Sequence, residues 1–87
     1  MTKNEQNAIL SSIKRTYAQY LIKDSLDNIM SLDEIVLSDG KPAFSVNVFN
    51  YHNDEDFTIE VLFLNQEYNE AKEFFINQRE YYISIEE

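Results

Sequence analysis

The chain has 87 residues, with sixteen Asp or Glu against seven Lys or Arg, a net charge of −9 and no cysteine. Without cysteine, disulfides and thiolate metal sites are excluded, and no apolar run approaches the ~20 residues of a membrane-spanning helix. A hydrophobic fraction of 44% with one glycine and one proline predicts a single folded domain over residues 1–87. The first residues lack the features of a signal peptide, so the expected location is the cytoplasm.

Negative charge is concentrated in the second half of the chain. Residues 1–43 carry five bases and six acids, whereas residues 44–87 carry Lys72 and Arg79 against ten acids. A field this negative repels nucleic acid and anionic lipid and attracts basic surfaces. We therefore expect neither nucleic-acid nor membrane binding, and the expected partner is a basic protein surface.

The N-terminal segment, residues 2–25, has the pattern of an amphipathic helix. Apolar side chains recur at three- and four-residue intervals from Ile9 to Leu21, and Thr2 and Glu5 have the spacing of a capping box. The segment from Leu26 to Met30 either prolongs this helix or forms a separate turn.

A change to two-residue periodicity then predicts strands. Ile35–Leu37 is a short apolar run, and Asp39–Pro42 has the composition of a turn. Phe44–Val48 and Phe57–Phe63 alternate apolar with polar residues, so we expect them to pair as a hairpin across an acidic loop.

The last third of the chain predicts a helix followed by a strand. Asn65 is expected to cap the helix, and its core-facing residues are expected to be Tyr68, Ala71, Phe74 and Phe75. Tyr81–Glu86 is expected to be a strand. The predicted fold is a small α+β domain of order α-β-β-β-α-β, with helices covering an antiparallel sheet of three to four strands.

The second face of this sheet contains apolar residues among polar ones. The apolar residues that share strand parity with Ser45 and Glu60 are Phe49, Tyr51, Leu62, Leu64 and Tyr82. Either helices cover both faces of the sheet, or these residues form an exposed aromatic patch that binds a partner.

The stretch from Tyr51 to Glu60 holds the candidates for chemistry. His52, Asp54 and Asp56 alternate and have side chains that can bind a divalent cation. However, His52 is the only histidine and the loop lacks the glycine and length of an EF-hand, so we interpret it as an acidic hairpin loop. Because Gly40 is the only glycine and no nucleophile–base arrangement is visible, we expect no metal, no cofactor and no enzymatic activity.

Acidic residues on the second predicted helix recur at a spacing that places them on one outer face of the helix. Glu67, Glu70 and Glu73 follow at three-residue steps, with no Lys or Arg three or four residues later. Like charges at this spacing destabilise a helix by a few tenths of a kcal/mol per pair. The predicted partner-binding residues are these three glutamates with Tyr51, Asp54, Glu55, Asp56 and Glu60.

Carboxylates ~5–7 Å apart on a rigid fold can occupy a cleft that binds phosphates. In size and charge the chain resembles the small acidic inhibitors of phages and mobile elements, including anti-CRISPR proteins and other DNA mimics. The resemblance implies a non-enzymatic, stoichiometric inhibitor that blocks the nucleic-acid site of a nuclease or defence protein. The alternatives are an immunity protein or antitoxin that masks a basic toxin, and an adaptor that binds through a face formed by Phe49, Leu62 and Tyr82. A homodimer is compatible with the sequence.

Overall fold

A computed structural model describes residues 11–53 and 56–86 of the chain. Four antiparallel strands form one sheet in the order β1-β2-β3-β4, and a helix follows them. The elements are β1 (Ile13–Leu21), a short 3-10 helix (Ile22–Asp24), β2 (Asn28–Val36), β3 (Pro42–Asn53), β4 (Asp56–Asn65) and α1 (Tyr68–Glu86). The predicted α+β class and antiparallel sheet are confirmed, but the observed order of the described elements is β-β-β-β-α.

The pairing of β3 with β4 and the turn before β3 follow the prediction, but the predicted loop is too long, because His52 lies in β3 and Asp56 in β4. β3 pairs with β4 from Phe44 opposite Asn65 to Asn53 opposite Asp56. In the β2–β3 turn, Gly40 has a φ of 84°, a conformation that favours glycine because it lacks a Cβ. Its N–H donates to the carbonyl of Leu37 at 2.9 Å, which closes the turn.

The core lies between α1 and one face of the sheet. Ala71 and Phe75 of α1 are buried, as predicted, and Tyr68 and Phe74 pack beside them. The buried strand residues in this cluster are Met30, Leu32, Val46 and Val48. Burying one side chain of the size of Phe75 contributes about 2–3 kcal/mol, so this cluster supplies the main attraction between helix and sheet.

The prediction of a helix over residues 13–25 is wrong, because residues 13–21 form β1. The pairing with β2 advances two residues in β1 for one in β2 at two places, which leaves Lys14 and Tyr17 as extra, bulged residues. A bulge interrupts the two-residue alternation of a strand. Apolar residues of β1 therefore recur at three- and four-residue intervals, the spacing expected of a helix. Of the rest of that predicted helix, residues 11 and 12 are helical and Ile22–Asp24 is a short 3-10 helix. Residues 1–10, with the capping box, lie outside the described residues.

β2 is longer than the sequence indicated. It begins at Asn28, so the segment Leu26–Met30 neither prolongs a helix nor forms only a turn. Of the predicted strand Ile35–Leu37, Ile35 and Val36 are the last residues of β2, and Leu37 follows its end. Polar residues concealed this strand, since Ser31 and Asp33 are buried despite their polarity.

A buried polar cluster lies on the sheet face opposite α1. Ser31, Asp33, Ser45 and Asn47 are each at most 1% exposed, and they alternate with residues that face α1. The Asp33 carboxylate accepts hydrogen bonds from the hydroxyls of Thr16 and Ser31, both at 2.6 Å, and from Nδ2 of Asn47 at 2.7 Å. Nδ2 of Asn47 also donates to Oγ of Ser45 at 2.9 Å. The cluster therefore links β1, β2 and β3 and satisfies a carboxylate that burial would otherwise destabilise.

The predicted C-terminal strand Tyr81–Glu86 is wrong, because α1 continues to Glu86. No glycine or proline separates this segment from the helix before it. Tyr82 stacks on Tyr20 of β1 with ring centroids 6.2 Å apart, and the hydroxyl of Tyr20 donates to the Glu86 carboxylate at 2.7 Å. The Glu86 carboxylate also accepts the backbone N–H of Lys23. These tertiary contacts outweigh the strand propensity of the tyrosines and isoleucines.

The predicted aromatic face of Phe49, Leu62 and Tyr82 does not exist as one surface. Leu62 is a bulged residue in β4, since Val61 pairs with Asn47 and Phe63 with Val46. The bulge directs Leu62 toward α1, where it packs against the core with Tyr82. Phe49 lies on the opposite face, so the three residues cannot contact one partner together.

Within the described ranges, no helix combines the length and the apolar character needed to cross a membrane.

We predict that replacing Asp33 with Ala lowers the free energy of unfolding by at least about 3 kcal/mol, because the donors on Thr16, Ser31 and Asn47 lose their acceptor. Asp56→Ala is the matched control: that carboxylate is exposed, so its loss should change stability by less than about 0.5 kcal/mol. Urea unfolding of both variants measures the difference. Equal stabilities would show that the buried cluster is not a structural requirement.

Candidate acidic interface

The outer face of α1 is acidic. Glu70, Glu73 and Glu80 are all exposed. At about 100° per residue, Glu80 lies about 20° from Glu73 around the helix axis, and Glu70 lies about 60° from Glu73. The rise along the axis is about 4.5 Å from Glu70 to Glu73 and about 10 Å more to Glu80. The three carboxylates therefore form one row on the side of α1 that faces away from the sheet.

Two aromatic contacts define how α1 is rotated on the sheet. Tyr68 packs against Tyr17 of β1, with ring centroids 5.1 Å apart. Phe74 stacks on Phe63 of β4, with ring centroids 4.7 Å apart and planes 6° from parallel. The helix thus has one side toward β1 and another toward β4, and each side is fixed by a contact between aromatic rings.

The two basic residues of α1 are on the β1 side. Lys72 and Arg79 follow Tyr68 by four and eleven residues, so both lie within about 40° of it around the helix. Glu70 precedes Phe74 by four residues and lies within about 40° of it, on the β4 side. The helix therefore separates its charges, with both bases turned away from the β4 side.

The acidic residues of β4 extend this negative side along the sheet. Asp56 and Glu60 are exposed, and Glu60 pairs with Val48, whose side chain is in the core under α1. Glu60 therefore lies on the same face of the sheet as α1. Asp54 and Glu55, the other predicted residues of this group, lie outside the described residues.

The predicted site residues do not converge on one point. Asp56 is the first residue of β4, and Glu67 follows the last residue of β4 by two positions. At about 3.3 Å per residue, the two ends of this strand are about 30 Å apart. Instead of a compact cluster, the carboxylates line the β4 side of the molecule from one end of the strand to the other.

The start of α1 differs from the prediction by two residues. The backbone N–H of Ala71 donates to the carbonyl of Glu67 at 3.3 Å, which makes Glu67 and not Asn65 the N-cap residue. Oδ1 of Asn65 accepts the N–H of Glu67 at 2.7 Å, so its side chain stabilises the turn that leads into the helix. An anionic side chain at this position is favoured by the helix dipole.

Tyr51 is separate from the acidic row. It is 40% exposed and lies on the sheet face opposite α1, between the rings of Phe49 and Phe57. Its ring centroid is 6.4 Å from that of Phe49 and 5.6 Å from that of Phe57. A partner that covers the outer face of α1 would not contact Tyr51, so this predicted site residue is not part of the same surface.

Two features of the described residues bear on metal binding and acid–base chemistry. Nowhere in residues 11–53 and 56–86 do three His, Asp or Glu side chains converge as metal ligands would, and His52 is exposed. Hydrogen bonds raise the pKa of two tyrosines on β1: Tyr17 donates to Glu34, and Tyr20 donates to Glu86, which raises the pKa of Tyr20 to about 12. A phenol with a raised pKa stays protonated near neutral pH, where a general base must be deprotonated.

Comparison of the chain with protein-family models, with curated proteins and with solved structures finds no match. The site is therefore described by its own geometry. The sequence predicted that Glu70 and Glu73 share one helix face, and it did not indicate that Lys72 and Arg79 lie on the β1 side. The spacing of both residues from Tyr68 was the available signal.

We predict that Tyr20 titrates with a pKa of about 12 in the folded protein, and that Glu86→Gln lowers this pKa toward the ordinary value of about 10. Because the folded-state pKa is raised, the contribution to stability is complete below about pH 10 and is lost as the pH rises to about 12. Ring-carbon NMR of labelled tyrosine follows the titration. The control, Glu80→Gln on the outer face of α1, should leave it unchanged, and a wild-type pKa near 10 would contradict the prediction.

Proposed function

We propose that the protein is a non-enzymatic, stoichiometric inhibitor that occupies the basic nucleic-acid-binding surface of another protein. The outer face and the β4 side of α1 make the contact. The observation that carries the proposal is the charge separation on α1: Glu70, Glu73 and Glu80 form an exposed acidic row, while both bases of the helix lie toward β1.

The acidic row destabilises α1, which supports a role for these carboxylates beyond folding. Its carboxylates have no basic neighbour three or four residues later on the helix, so they repel one another and destabilise the helix slightly. Solubility requires net charge but does not require that all bases be turned to one side. Binding to a basic partner explains why the chain has this acidic row although the row destabilises the helix.

The physical fit is to a surface that binds phosphates. A nucleic-acid-binding cleft presents Lys and Arg side chains at positions that match a regular series of negative charges. Carboxylates on a helix are held at fixed spacings by the backbone, so they can pair with such a surface without being ordered first. We place the partner among nucleases and other defence proteins of the cytoplasm.

The test begins with a partner captured by the intact protein, identified and purified. We predict that Glu73→Lys with Glu80→Lys weakens its binding about 10- to 100-fold, because two attractive contacts become repulsive. Duplex DNA should compete with the wild-type protein for the partner, and raising the salt concentration should weaken the complex steeply. Isothermal titration calorimetry at two salt concentrations provides the measurement.

The matched control is Asp24→Lys with Asp27→Lys, which changes the net charge equally in the connection between β1 and β2. Both residues are exposed, and circular dichroism checks that each double variant is folded. Equal loss of binding in the two variants would mean that overall charge, not the face of α1, is recognised. A complex that DNA does not compete with would contradict the proposal and favour the masking of a basic toxin.

A further inference from the structure

β4 is the last strand of the sheet. Among the described strands it has one neighbour, β3. Along its outer side, alternate residues of an edge strand direct backbone N–H and C=O groups away from the sheet. Such a row of unpaired groups is a template for another strand.

The two edges of the sheet differ in how well they could accept a strand. β1 has two bulged residues, Lys14 and Tyr17, and a positive pair at Lys14 and Arg15. Bulges and basic residues are devices that prevent pairing at an edge. β4 contains no Lys, Arg, Pro or Gly, and its bulged residue Leu62 lies beyond the stretch from Phe57 to Val61, which pairs regularly with β3. The β4 edge is therefore the receptive one.

The side chains of this regular stretch define what a fifth strand would meet. Thr58 and Glu60 lie on the α1 face, and both are exposed. Phe57, Ile59 and Val61 lie on the opposite face, where Val61 is 40% exposed. An added strand would thus have an acidic neighbour on one face and apolar neighbours on the other.

We propose that β4 binds an extended basic segment of a partner protein as a fifth strand. In this segment, lysine or arginine alternates with β-branched or aromatic residues. Its backbone pairs with β4, its basic side chains lie beside Glu60, and its apolar side chains cover Val61, which is 40% exposed. The inference goes beyond the proposed function, because an acidic helix face can block a nucleic-acid site without any strand pairing.

Charge selects this occupant over a second copy of the chain. The sequence has no Lys or Arg between Lys41 and Lys72, and the six acids in this interval include Asp56, Glu60 and Glu70. Two β4 edges placed together would bring like charges into neighbouring positions, which destabilises a strand pair. A basic segment beside β4 would instead be attracted by the carboxylates of β4.

The experiment uses the full chain and a capped seven-residue peptide that alternates lysine with valine. We expect the peptide to slow amide hydrogen exchange at Thr58–Val61 and not in β1, as followed by NMR. Two control peptides separate the contributions: one has glutamate in place of each lysine, and the other has proline in place of the central valine. Both should bind at least about tenfold more weakly, since one loses the charge attraction and the other loses backbone pairing.

Protein variants locate the contact. Glu60→Lys should weaken peptide binding about tenfold, whereas Glu73→Lys, the same change on the outer face of α1, should weaken it less than about threefold. Equal binding of the proline peptide, protection spread over α1, or no binding at all would overturn the proposal. Protection of β4 that appears without peptide and grows with protein concentration would assign the edge to a second copy and overturn it as well. Because none of these outcomes uses the inhibited partner, they are independent of the proposed function.

Discussion

The carboxylate of Asp33 fixes the register on which the rest of the molecule depends. It accepts hydrogen bonds from three residues on β1, β2 and β3, and Asp33 itself is 1% exposed. A slip of one residue in β1 or β3 would move Thr16 or Asn47 to the other face, so the buried carboxylate would lose that donor. The apolar residues that face α1 favour the same alignment, and the polar cluster adds directional hydrogen bonds that are made only in that alignment.

The position of the charges on α1 follows from that register. With β1 aligned, its bulge places Tyr17 on the α1 face, where Tyr68 packs against it. The stacking of Phe74 on Phe63 then fixes the rotation of the helix. A helix rotated by one residue position, about 100°, would no longer keep both bases toward β1. The acidic surface is thus a consequence of ring packing as much as of the number of glutamates.

The sequence predicted the features that depend on local chemistry. These include the turn at Gly40, the β3–β4 hairpin, the α+β class, and Ala71 and Phe75 as core residues of α1. The prediction from sequence was wrong where a long-range contact decides the structure. Bulges gave β1 the periodicity of a helix, and the contacts of Tyr82 with Tyr20 kept the end of α1 helical.

For the candidate site, too, the sequence predicted the local features and missed those that depend on tertiary packing. The row on α1 could be predicted, because helical spacing is local and places Glu70 and Glu73 on one face. The separation of Tyr51 from that row could not, since it depends on which face of the sheet α1 covers. The position of Lys72 on the β1 side could not be predicted either, because it depends on the packing of Tyr68 on Tyr17.

The contact between Tyr20 and Glu86 joins residues 66 positions apart, and it has a kinetic consequence. Each strand of the sheet pairs with the next in sequence, so the hairpins can form by closing short loops. The Tyr20–Glu86 contact closes a loop that spans most of the chain, which costs more entropy and yields nothing until the sheet exists. We therefore expect the sheet to assemble first and the end of α1 to dock last, so that this end is also the first part to detach in local unfolding.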